Sequence, residues 1–135
     1  MKPKILVVTA RYYGDFSKEL EVSASATLNK KAKYKFIPVP GIFEIPVVIS
    51  KNIKKYDGFI ALGCVIKGET PHFDFISRAT TDAIMNLSIT HKKPVGNGIL
   101  TCLNYDQAKL RAASNGKIRK GREAAQAVLD VLDTK

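Results

Sequence analysis

The amino-acid sequence predicts a doubly wound, three-layer α/β/α sandwich on a four-stranded parallel sheet. Two observations lead there. Short β-branched apolar runs alternate with longer stretches whose apolar residues recur at helical period, the pattern of strands joined by crossover helices. One of those runs, Phe59 to Val65, is apolar at both odd and even positions, as a strand covered on both faces requires.

Taken in order, Ile5 to Thr9 is the first strand. Phe16, Leu20, Ala24, Leu28 and Ala32 recur every four residues and predict an amphipathic helix from about Ser17 to Lys33. Tyr34 to Val39 follows as a strand, closed by Pro38, Pro40 and Gly41, and Ile45 to Lys54 as a short helix with Pro46 in its first turn. After the central strand, Phe73, Ile76, Ala79, Ala83, Ile84 and Leu87 share one helical stripe that ends before the polar turn at His91 and Lys92. Pro94 to Leu100 supplies the fourth strand. Tyr105 to Ala112 and Ile118 to Leu132 are the last helices, separated by the breaker cluster Ser114-Asn-Gly116. With right-handed crossovers, ligands bind beyond the carboxyl ends of such strands. That rule gathers Arg11 to Tyr13, Gly41 to Glu44, Gly68 to His72 and the region after Leu100 on one rim.

The 135 residues suffice for one domain, residues 1–135, and are too few for two. A hydrophobic fraction of 45% with 25% charged residues excludes a disordered chain. The first apolar run is too short for a signal sequence or a membrane span, so a cytoplasmic protein without a membrane partner is expected. Cys64 and Cys102 have neither CxxC spacing nor enough ligand neighbours for a metal; they read as buried, inert thiols. A formal charge of +10, from 22 Lys and Arg against 12 Asp and Glu, favours anionic partners. Lys51, Lys54 and Lys55 read as solvated surface.

The chemistry concentrates between Gly63 and Phe75. Thr70 is a good N-cap and Pro71 suits the first helical position, so the turn before them offers free backbone N–H groups to a phosphate. Gly63 to Thr70 spells G-x-x-x-x-G-E-T, which lacks the lysine of a nucleotide-binding P-loop and puts Glu69 there instead. A singly phosphorylated small molecule fits that turn; a plain strand-to-helix connection is the competing reading. His72, one of two histidines, stands in the first helical turn, where the helix dipole disfavours a protonated ring and suits a proton shuttle. A lone histidine is otherwise more often structural, and His91 in its Thr-His-Lys-Lys loop reads as surface. Glu44 at a strand end is either an acceptor for hydroxyls or a first-turn helix acid. Between Lys109 and Arg122 lie six cations and no acid, a solvated face, an RNA stripe without the aromatics that stack bases, or part of a phosphate site.

These motifs resemble the lumazine synthase family over nearly the whole chain. The resemblance rests on Ala10-Arg-Tyr12, Val39-Pro-Gly-Ile-Phe-Glu-Ile-Pro46, Ala61 to Phe75 with its Gly-Glu-Thr-Pro-His-Phe-Asp core, Gly98-Ile-Leu-Thr101 and Lys120-Gly-Arg-Glu-Ala-Ala125. It implies a flavodoxin-like fold and a transferase of riboflavin biosynthesis. The implied reaction condenses 5-amino-6-(D-ribitylamino)uracil with 3,4-dihydroxy-2-butanone 4-phosphate to 6,7-dimethyl-8-ribityllumazine, without metal or organic cofactor. Tyr12 would stack on the pyrimidine, Glu44 with backbone near Ile42 and Phe43 would hold the ribityl chain, and main-chain groups of Val65 and Ile66 would read the uracil. Gly68, Glu69 and Thr70 would hold phosphate beside His72 as proton carrier. Family members assemble as pentamers, decamers or sixty-subunit shells with sites at subunit contacts, so Asn97, Arg111 and Lys120 would come from a neighbouring copy. A pentamer or decamer is the expected assembly. Asn97 replaces an aromatic found in many relatives, and a loop one residue longer than in some makes Arg119 a rival to Lys120. The alternatives are a basic nucleic-acid-binding α/β module and an inactive ligand-binding or structural relative; the resemblance implies no nucleic-acid partner.

Overall fold

The computed structural model describes residues 2–68 and 72–134. Its strands are β1 (Lys4–Ala10), β2 (Lys33–Val39), β3 (Gly58–Ile66) and β4 (Val95–Cys102). They form one wholly parallel sheet in the order β2-β1-β3-β4. The helices are α1 (Gly14–Leu28), α2 (Ile45–Lys51) behind a 3-10 turn at Ile42–Glu44, α3 (His72–His91), α4 (Tyr105–Ala112) and α5 (Lys120–Leu132). This is the three-layer flavodoxin-like arrangement the sequence predicts.

Strand alternation sorts the core into two layers. Ile5 and Val7 of β1 pack with Phe16 and Leu20 of α1 and Val128 of α5. Leu6 and Val8 point the other way, to Ile45 and Ile49 of α2 and Ile84 of α3. Ile5, Leu6, Leu20, Ile45 and Ile49 are fully buried, each contributing roughly 1.5–3 kcal/mol relative to an exposed side chain. The tightest seam joins α5 to its neighbours. A Cβ on Gly96 of β4 would stand 2.3 Å from the Ala124 carbonyl oxygen, and one on Gly121 of α5 would stand 2.3 Å from that of Leu20 in α1.

Element limits differ from the sequence reading where local hydrogen bonds override periodicity. α1 starts at Gly14 because Ser17 does not cap the helix from outside: its hydroxyl donates to the carbonyls of Ala10 and Tyr13 from within the first turn. It ends at Leu28, since Lys30 takes a left-handed φ of 67°. Ala32 is buried from the following turn. α2 stops at Lys51, where the Asn52 side-chain amide donates to the Val48 carbonyl over 2.8 Å. Lys93 holds the connection beyond it by donating to the carbonyls of Ile53 and Tyr56, at 2.6 and 2.8 Å. α3 includes His91, α5 begins at Lys120, and β4 runs to Cys102 to pair with Ile66.

The chain winds from β1 out to β2 and returns past β1 to β3. The carboxyl ends of β1 and β3 therefore flank the point where winding direction reverses, the place where such sheets open a crevice.

Candidate active site

A pocket of about 510 Å³ occupies that crevice. Tyr12 and Tyr13 enter from the end of β1, Gly41 to Glu44 from the end of β2, Cys64 to Ile66 and Gly68 from β3, and His72, Phe73 and Ile76 from α3. Residues as distant in sequence as Tyr12 and Ile76 meet because parallel strands all end on one side.

The walls are aromatic and the polar groups few. Tyr12 is 76% exposed and Phe43 62%, so both rings offer free surface. Tyr12 is braced by Tyr13, edge to face at 4.9 Å and 79°, and Phe16 continues the stack from Tyr13 to Tyr105. The Glu44 carboxylate takes the first-turn role of its two readings. Oε1 accepts the Gly41 N–H at 3.0 Å and closes the 3-10 turn; Oε2 has no hydrogen bond among the described residues, and Glu44 lines the pocket. His72 is exposed in the first turn of α3. Glu69, Thr70 and Pro71, the expected phosphate turn and helix cap, lie outside the described residues.

Cys64 forms part of the floor. Burial, then the neighbouring Cys102 thiol, pushes its pKa up to about 12, so it stays a neutral thiol at physiological pH. The Tyr13 hydroxyl is also pushed up, by burial first and then by Tyr12 and Cys64. Both cysteines are free and buried. Among the described residues no group of three or more His, Cys, Asp or Glu could hold a metal ion, and no helix is long and apolar enough to cross a membrane.

The remaining candidates lie elsewhere. Asn97 is exposed on β4, its side-chain oxygen accepting the Ile99 N–H at 3.0 Å. Arg111 is half-buried on α4 with Nη1 4.0 Å from Cys102 Sγ. Lys120 opens α5. None of the three lines the crevice, and neither does Arg119, which lies between α1 and α5. Sequence reasoning placed Tyr13 on the rim but missed Cys64, Phe73 and Ile76 as pocket walls. Their apolar character assigned them to the core, and only their positions at a strand end or in the first turn of α3 signalled otherwise.

Comparison with known proteins bears on this arrangement. The family model for 6,7-dimethyl-8-ribityllumazine synthase matches residues 2–135. The chain belongs to that family. A 6,7-dimethyl-8-ribityllumazine synthase from Agrobacterium fabrum is 42% identical, over 99% of this chain and 95% of its own length. One from Bartonella henselae is 45% identical over 99% and 89%. A third, named 6,7-dimethyl-8-ribityllumazine synthase 1, from Rhodopseudomonas palustris, is 40% identical over 98% and 85%. Phe43 and Glu44 of the Phe-Glu-Ile-Pro stretch, and His72 and Phe73, line the same crevice.

Proposed function

We propose that this chain condenses 5-amino-6-(D-ribitylamino)uracil with 3,4-dihydroxy-2-butanone 4-phosphate to give 6,7-dimethyl-8-ribityllumazine. The observation that carries this is the convergence of Tyr12, Glu44 and His72 on one crevice, within a chain of this family. Tyr12 stacks on the pyrimidine, with Phe43 beside it. Main-chain groups of Val65 and Ile66 hold the uracil edge, and Glu44 Oε2, with backbone at Ile42 and Phe43, accepts the ribityl hydroxyls. Gly68, Glu69 and Thr70 donate backbone N–H groups to the phosphate.

The chemistry needs positioning and proton movement. The substrate amine adds to the ketone and water leaves, forming an imine; phosphate departs by elimination with loss of the C3 proton; the enol so formed tautomerises to a new ketone; and the second amine attacks that ketone and closes the ring with loss of a second water. His72 moves the protons, and no covalent bond to the enzyme forms. Both substrates are reactive beforehand, so most of the acceleration comes from holding them together, where effective molarities reach about 10⁵ M or more.

The crevice is half a site. Asn97, Arg111 and Lys120 lie off it on the β4, α4 and α5 edge, and in this reading they complete the crevice of an adjoining copy, Arg111 binding the phosphate. Phe75, Met85 and Ile89 leave large apolar surface exposed on α3, in keeping with subunit contacts in a pentamer or decamer. The enzyme works in the cytoplasm. Mixing the purified protein with both substrates and following lumazine fluorescence and phosphate release together tests the reaction; phosphate without lumazine, or neither, contradicts it.

A further inference from the structure

A second cleft, of about 400 Å³, lies between α1 and α5, away from the crevice at the strand ends. Arg119 and Arg122 line it from one side and Lys31 from the other, joined by Asn29, Gln126 and Ser114, and no carboxylate is among its lining residues. Beside it, Glu19 accepts the Ser114 hydroxyl at 3.1 Å. A shallower depression on the far side of the arginines contains Glu123 and Asp130, yet neither arginine forms an ion pair among the described residues, where the one salt bridge is Arg11 to Glu21.

Arg119 Nε is wholly buried and has no hydrogen-bond partner among the described residues. A buried guanidinium donor left unpaired is costly. The backbone beside it is not free to relax, because Gly121 packs directly on Leu20 and Ser23. Three cations, a stranded donor and a concave wall have one chemical complement, a compact oxyanion. We propose that the α1–α5 cleft is an anion site that takes a phosphate group, either free or as a small phosphate ester, for which its volume leaves room.

Titration of the full chain with inorganic phosphate, followed by calorimetry at constant ionic strength in chloride, tests this. A phosphate equivalent is expected that Arg111→Ala leaves intact and that Arg119→Gln weakens about tenfold, the loss of one charge-assisted hydrogen bond. Arg122→Gln should weaken it likewise if the Arg119 variant misfolds. Lys55→Gln, which removes the same charge outside the cleft, should not weaken it. Competition by glycerol phosphate separates the two sources: displacement at lower concentration than inorganic phosphate identifies an ester site, the reverse a site for the free ion, and both support the proposal. Absence of this equivalent, indifference to both arginine variants, or equal weakening by Lys55→Gln overturns it. Failure of the catalytic reading would appear separately, as no lumazine from the two substrates while the Arg119-dependent equivalent persists.

Discussion

The crevice between β1 and β3 and the edge formed by β4, α4 and α5 are built on opposite terms. The first leaves aromatic rings uncovered, Tyr12 and Phe43 above all, and has loose polar ends in Glu44 and His72. The second is packed until helix meets strand at Gly96 and helix meets helix at Gly121 with no side chain between, yet it carries the cations. Surface that is open but short of positive charge, and surface that is charged but has no crevice of its own for Arg111, are complementary. One chain holds both halves of the proposed catalytic site and joins neither to the other.

The sharpest way to break that complementarity is to remove one half at a time. Arg111→Ala should raise KM for the phosphorylated substrate about a hundredfold, the loss of a charge-assisted pair to phosphate, with KM for the pyrimidine little changed. Mixed assembly then decides where Arg111 acts. Refolding the inactive double variant Tyr12→Ala, Glu44→Ala together with Arg111→Ala should recover activity, because some contacts then unite an intact crevice with an intact arginine. If mixed assemblies gain nothing over the separate variants, the two halves do not meet across copies.

The packed edge makes a stability prediction. Gly121→Ala would press its methyl against the Leu20 carbonyl and the Ser23 hydroxyl and should cost about 1–3 kcal/mol by overpacking. A urea midpoint lowered without change in slope would fit this, and an unchanged midpoint would mean that α1 can move away from α5. At the open side, His72→Ala should lower kcat only about tenfold, less than is usual for a general acid–base group, because positioning supplies most of the rate. Complete loss of turnover with an intact fold would reverse that order.

Fold class and strand positions were legible in the sequence because periodicity reports burial directly: Phe59 to Val65 is apolar throughout and is the buried centre of the sheet. Helix ends were less legible. Ser17 looks the same whether it caps a helix from outside or ties its first turn to β1, and Ala32 continues a four-residue spacing by coincidence after the helix has stopped. In the candidate site, polar residues in distinctive motifs could be read, while Cys64, Phe73 and Ile76 could not. An apolar side chain that walls a pocket has the same sequence pattern as one that fills a core. The burial of the Arg119 donor was illegible for a different reason, since an unpaired buried guanidinium depends on how closely two helices pack.

Cys64 lies at the seam between the two regions. It floors the crevice and neighbours Cys102, against which Arg111 rests. Its pKa rises from 9.0 to about 12, chiefly through burial, so the folded state binds that proton more tightly than the unfolded chain does. Between those values the native protein holds more protons than the denatured one, and its stability must fall as pH rises. Below about pH 9 the contribution is complete; it is lost progressively up to about 12. At neutral pH the effect should be the smallest of those considered, because the shift makes stability vary with pH only above about pH 9. Tyrosines and lysines titrate in the same range, so the measurement is a difference between urea midpoints of the wild type and of Cys64→Ala across that window. A steeper alkaline decline in the wild type is expected. Parallel declines would mean that the thiol is as well solvated as in the unfolded chain, and the seam between the two regions would then be open to water.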